Sequence, residues 1–161
     1  MFTRPIGGSP TPRPHIRATA IAVHLWRDHL LAQHYPHPRG DFYRPLGGGI
    51  DFGERAEAAL HREIHEELGR PIEVVDRMSV AENIFEFDGE PGHQIMFEFI
   101  TRWPPGVEPA DLSPLHGQEA NGEPIEARWL PLPEVFAGAY TLYPDGLATR
   151  LHRWLDDHPT T

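Results

Sequence analysis

GGIDFGERAEAALHREIHEELG, residues Gly48 to Gly69, is the stretch on which the reading of the whole chain turns. A glycine loop runs into an amphipathic helix that carries Glu63, Glu66 and Glu67. At about 100° per residue these three carboxylates fall within roughly a third of a turn. Leu60, Ile64 and Leu68 form a separate apolar stripe, about a quarter turn or slightly more away. One side of the helix is therefore expected to face a core while the neighbouring side offers three acids to solvent. Glu63 and Glu67 are like charges at i, i+4, an arrangement that weakens a helix by roughly 0.2–0.5 kcal/mol. A hard divalent cation held between the acids would offset that repulsion.

These residues resemble the Nudix box: Gly, five residues, Glu, seven residues, Arg-Glu, an aliphatic, any residue, Glu-Glu, any residue, Gly, an aliphatic. Gly48, Glu54, Arg62, Glu63, Ile64, Glu66, Glu67 and Gly69 fall in register. Arg70 departs from the pattern, standing where an aliphatic is usual, and Ile72 is placed to supply the missing core contact. Acid clusters on helices are ordinarily solvated faces. The glycines, Glu54 and Arg62 in register turn the reading toward a metal site, since at residue frequencies of roughly 5–7% chance gives such a match about once in ten million chains.

Outward from the box, Ala18 to Trp26 alternates, with Ile21, Val23 and Leu25 on one face, as a half-buried strand does. Arg27-Asp28-His29 makes a turn into a second short strand, Leu30 to His34, and Phe42 to Leu46 lead into the glycines. After the helix, Ile72 to Val75 and Met78 to Phe87 read as two strands, residues 88–92 as a turn, and Gln94 to Thr101 as a strand. Residues 103–124 hold prolines and no periodicity and read as a long loop of the kind that forms lids or binding segments. Glu126 to Leu130 is a short strand, and Leu147, Leu151, Trp154 and Leu155 recur at helical spacing. Residues 1–14, rich in Pro, Gly and Ser, read as a flexible arm ahead of a single domain over 15–158. The order suits an α/β fold with a mixed sheet between helices, and the resemblance implies the α/β/α Nudix sandwich.

Composition narrows the function classes. The chain has 161 residues, enough for one domain with a sizeable core. It has no cysteine, which excludes disulfides, thiolate metal ligands and a cysteine nucleophile. That also counts against isopentenyl diphosphate isomerase, a relative of the same fold that employs a cysteine. The balance of 14 basic to 24 acidic residues, net −10, disfavours broad binding to nucleic acid and counts against RNA decapping. An anionic substrate would need a bridging cation or a local cluster of arginines. No apolar run approaches the roughly 20 residues of a membrane span, and no signal segment opens the chain, so a cytoplasmic location is expected.

Magnesium takes oxygen ligands and shares its shell with waters and substrate phosphates. In the family the metal ligands match Glu63, Glu66 and Glu67, with a backbone carbonyl from the residue matching Gly48. Mg2+ is the expected cofactor and Mn2+ a substitute. Glu54 and Arg62 match the pair that props the loop and the acids, and Glu66 and Glu67 head the expected catalytic residues. Family members often supply a further glutamate from a distant loop as base or extra ligand. Glu123 is favoured here because it is anchored beside the strand that begins near Glu126, with Glu119 second and Glu98 third. Arg44, just before the loop, is the local candidate for a phosphate contact. Asp51 and Glu57 read as helix-start acids, and His61, His65 and His93 as surface or packing residues. Tyr35, Phe42, Phe85 and Trp103 could stack on a base, although aromatics near strands are more often core.

The resemblance thus implies a divalent-metal hydrolase cleaving the diphosphate linkage of a nucleoside diphosphate derivative of nucleotide, nucleotide-sugar or dinucleotide type. The alternative is a non-enzymatic nucleotide-binding or regulatory module on the same fold, against which the three retained acids count. The expected partner is a small-molecule diphosphate, and a homodimer is left open.

Overall fold

Neighbouring residues on the central strands point into different apolar clusters, and that division builds the fold. In the computed structural model, which describes residues 14–159, β1 (Arg17–Trp26) carries Ala20 and Ala22 on one face and Val23 on the other. The strand is buried on both faces, not on one as the alternation suggested, because helices cover both sides of the sheet. On the first side, Ala20, Ala22, Leu31 and Phe99 pack under Ala59, Leu60 and Ile64 of α1 (Ala56–Leu68). On the second, Val23, Leu30 and Ile100 meet Leu147 and Leu151 of α3 (Leu147–Asp157) and Leu132 of α2 (Leu132–Phe136). The described residues run from Pro14, so the remainder of the expected N-terminal arm lies outside them.

The sheet runs β5-β6-β1-β2-β8-β7, where β2 is His29–Tyr35, β5 Glu73–Phe87, β6 Glu90–Arg102, β7 Leu115–Gln118 and β8 Pro124–Pro131. β1 and β6 are parallel and the other pairs antiparallel, so the sheet is mixed. β2 pairs with β1 only at its start, from His24 to Trp26, and then diverges. Into the opening comes β4 (Leu46–Gly49), which pairs with β1 from Thr19 to Ala22, while β3 (Phe42–Arg44) pairs with β2. This split in the sheet sets the glycine loop beside the β1 surface.

Four elements differ from the expectation. The two strands expected over 72–87 are one, β5, broken in register between Val74 and Asp76 and between Arg77 and Ser79; these bulges interrupt the alternation. The turn expected over 88–92 is shorter, a two-residue Asp88-Gly89 turn with both φ positive, as a tight hairpin requires. The long loop over 103–124 contains β7, paired with β8 from Leu115 to Gln118. The short α2, opened by Pro131 and Pro133, was not foreseen. Ile72 is buried in the first cluster, in the role expected of it, while Arg70 lies 5.5 Å over the Trp103 ring and donates to the Val107 carbonyl at 3.3 Å. No helix among the described residues is long and apolar enough to cross a membrane.

Candidate active site

The glycine loop is shaped by close approach. Gly47, at φ 138°, lies so near β1 that a Cβ would sit 2.1 Å from the Ala20 carbonyl oxygen, and only glycine fits. Gly48 lies against the Glu63 carboxyl, where a Cβ would come within 2.3 Å of Cδ. The helix thus delivers Glu63 onto the loop backbone.

Arg62 ties the two together. Its Nε and Nη2 donate to the Glu54 carboxylate at 2.9 and 2.8 Å, a bidentate pair, and Nη2 also donates to the Gly49 carbonyl at 3.0 Å. Nη1 donates to Glu63 at 2.8 Å and reaches Glu66 at 3.5 Å. The Arg62 guanidinium and the Asp51 amide, which donates to Glu54 at 3.0 Å, hold the Glu54 carboxyl down at about 2. Arg62 is correspondingly raised by Glu54 and Glu63.

Glu67 corrects the picture of three acids offered to solvent. Glu66 is exposed, but Glu67 is buried to 6% exposure. β7 runs against the helix backbone here: Gly117 passes so close that a Cβ there would meet the Glu67 main-chain carbonyl oxygen at 1.9 Å. Burial pushes the Glu67 carboxyl up to about 8, aided by the charges of Glu119 and Glu63 and opposed by a hydrogen bond from the Gly47 amide. Its Oε2 has no hydrogen-bond partner. A buried carboxylate oxygen without a donor, facing other acids, is the environment a cation would relieve.

Glu63, Glu67 and Glu119 line one cavity of about 280 Å3 with Gly47, Gly48 and Gly49, and Arg17, Arg44, Gln33 and Tyr35 are also part of its wall. Among the described residues, no three His, Asp or Glu side chains are grouped tightly enough to hold a metal ion as arranged, since Arg62 engages Glu63 and Glu66. The donor set nonetheless fits a hard divalent cation. It consists of carboxylate and backbone oxygens only, and the unpaired Glu67 oxygen is part of it.

The fourth-acid candidates separate clearly. Glu119 lines the cavity and accepts from Gln33 Nε2 at 3.2 Å. Glu123 does not line it; its carbonyl accepts from the Glu119 amide at 2.8 Å, closing the β7–β8 turn, and its side chain is exposed. The anchoring that favoured Glu123 therefore serves Glu119. Glu98 is fully buried on the other side of the sheet, paired with Arg150 at 2.5 and 2.8 Å and bonded by Ser79. Arg44 lines the cavity as expected, while Arg17, whose guanidinium lies 3.3 Å from where a Gly49 Cβ would be, was missed. An arginine opening a strand carries no sequence signal. His61 and His65 are exposed, and His93 bonds Glu82 at 2.7 Å away from the cavity. Trp103 is core.

Tyr35, Phe42 and Phe85 are not core. They line a second cavity, of about 220 Å3, that shares Tyr35 and Arg44 with the first.

The NUDIX domain family model matches residues 15–151. Among solved structures, the chain is similar to the E. coli ORF135 protein at 18% identity, over 95% of this chain and 100% of that one, with a TM-score of 0.61. The MutT protein of Methanosarcina mazei Go1 is 19% identical, over 93% and 100%, with a TM-score of 0.62. A NUDIX hydrolase from Nitrosomonas europaea is 15% identical, over 89% and 90%, also at 0.62. At these identities the likeness is one of fold. No curated protein matches the chain.

Proposed function

The chain belongs to the Nudix hydrolase family, and from that premise we propose that it is a magnesium-dependent pyrophosphohydrolase acting on a nucleoside diphosphate derivative. The observation that carries this reading is the convergence of Glu63, Glu67 and Glu119 with the glycine backbone on one cavity, where Glu67 keeps a buried, unpaired oxygen. Glu63, Glu66, Glu67 and the Gly48 carbonyl would hold the metal, Mg2+ or Mn2+. When bound, the metal neutralises the diphosphate and activates a water for attack on phosphorus.

The chain's own groups supply the rest. Arg44 and Arg17 face the cavity from two sides and offer cationic donors to phosphate oxygens. Glu119 is the proposed base, in place of Glu123: Gln33 holds Oε1, which leaves Oε2 to take the proton of the attacking water. As the new oxygen–phosphorus bond forms, the bridging bond breaks and the leaving phosphate carries the displaced electron pair. Glu54 and Arg62 keep the loop and the acid helix in register. The acidic balance of the chain favours a small substrate over nucleic acid.

The test is release of nucleoside mono- or diphosphate from nucleotides, nucleotide sugars, dinucleoside polyphosphates and coenzymes, separated by chromatography, with Mg2+ and again with EDTA. Release with Mg2+ that EDTA abolishes supports the reading. Binding of these compounds with no release under any metal would favour the non-enzymatic module.

A further inference from the structure

Beside the acidic cavity lies the second one, and its chemistry is different. Its walls are the rings of Tyr35, Phe42, Phe85, Phe87 and Tyr143. Tyr35 and Phe42 stack in parallel, 4.9 Å apart at 2°, and Phe87 and Tyr143 stand edge-on to Phe42 at 5.6 and 5.7 Å. Phe85 enters because its cross-strand partner is Gly92, where a Cβ would lie 2.2 Å from the ring. Phe87 and Tyr143 remain 46% and 40% exposed, a large aromatic surface for water to cover. The walls are fixed by contacts made elsewhere. Arg39 and His37 hold Asp88 at the hairpin tip, at 2.6 and 3.4 Å, and the Tyr143 amide donates to the Tyr43 carbonyl at 2.9 Å.

Charge is distributed unevenly around this box. Arg44 stands at the end shared with the acidic cavity. Asn83 and Asp145 line the box itself, whereas Glu86, between Phe85 and Phe87 on β5, turns its side chain to the opposite face of the sheet; neither Asn83 nor Asp145 makes a side-chain hydrogen bond or ion pair among the described residues. An anionic group is attracted to the Arg44 end and repelled by the Asp145 carboxylate. A ligand spanning both cavities is thus oriented with phosphates at the acids and an uncharged ring in the box. Stacking is indifferent to which base is bound, because every base has a π-face. Carboxylates are not indifferent, since they only accept hydrogen bonds and require N–H donors on the ring edge.

We infer that the aromatic box binds the base of the substrate and selects an amino-bearing ring over uracil or thymine, with Asn83 and Asp145 reading its edge. Guanine fits most fully, because its ring N–H and amino group lie side by side and match the two oxygens of one carboxylate. The inference rests on the nucleotide-hydrolase reading but can fail separately from it.

Binding of nucleoside 5′-monophosphates to the full chain in EDTA tests the box without turnover. GMP is expected to bind at least about tenfold more tightly than UMP or ribose 5-phosphate, as a carboxylate that pairs two adjacent N–H donors discriminates against uracil, which offers one, and against a sugar phosphate, which offers none. Amide NMR shifts should centre on Asn83 and Phe85. Asp145→Asn should shrink the GMP-to-UMP ratio toward one, and Phe42→Ala should weaken all bases. Equal binding of GMP, UMP and ribose 5-phosphate would overturn the inference, as would a ratio unchanged in the Asp145→Asn variant. Magnesium-dependent turnover of base-free tripolyphosphate as fast as of GTP would also overturn it while leaving the hydrolase intact. Selective GMP binding without turnover of any compound would refute the hydrolase and leave the box.

Discussion

At the scale of single residues, Glu67 and Glu119 carry the most information. Glu67 is buried and its carboxyl is pushed from 4.5 to about 8. In the unfolded chain it loses its proton near 4.5, so between that pH and about 8 each rise in pH favours the unfolded state. The metal-free melting temperature of Glu67→Gln should therefore exceed that of the wild type at pH 8, with the gain fading as pH falls toward 4.5. A thermal-melt series across pH checks this, and a variant less stable than wild type at pH 8 would contradict it. Glu119→Gln should lower turnover at saturating magnesium by about a hundredfold or more, while Glu123→Gln stays within about threefold. Loss in Glu123→Gln alone would return the base role to that residue. The acid helix was legible in the sequence because periodicity gives each side chain its angle. What covers each angle is not local, so the burial of Glu67 and the placement of Glu119 on the cavity wall were not legible.

Elements show the same division. β1, β2, β8 and the two long helices were readable because apolar spacing over several residues names a face. β7 was not. Leu115 to Gln118 has little pattern of its own, and the strand exists because β8 offers an edge and Gly117 can pass α1 closely. β5 was read as two strands because bulges break its alternation. The joint between the glycine loop and α1 rests on Arg62, whose neighbours include five carboxylate or carbonyl groups within reach: Glu54, Glu63, Glu66, Gly49 and Asp51. Arg62→Ala should lower both melting temperature and turnover. Its stability deficit has a definite pH window, because a Glu54 carboxyl held at about 2 stabilises the fold above 4.5 and loses that contribution as pH falls toward 2. A deficit independent of pH over that range would remove Glu54 as the partner that matters.

Across the whole molecule, a sheet covered on both faces keeps two different polar systems apart. On the α1 side are the acids of the cavity. On the α3 side, Glu98 is fully buried and depends on Arg150 for its charge partner. Arg150→Ala leaves that carboxylate uncompensated and should cost about 3 kcal/mol. For a chain of this size that is about 6–12 °C in melting temperature. Replacing both, with Glu98→Leu and Arg150→Met, should recover most of the loss; no recovery would show that the ion pair is not the source. The sequence carried the α/β architecture through the order of its periodic segments and the box through its register. The aromatic box was hidden because its residues come from β2, β3, the β5 hairpin and the segment before α3, which meet only in the folded chain.

We propose that the acids around Glu67 form the metal-dependent centre of a hydrolase. The most direct measurement is turnover of the best nucleotide substrate across a magnesium titration, wild type beside Glu67→Gln, with metal-free melting of both at pH 8. The expected result is a turnover at least about a hundredfold lower in the variant, with a melting temperature equal to or above that of the wild type. A folded Glu67→Gln variant that turns over at the wild-type rate with the same magnesium dependence would contradict the account.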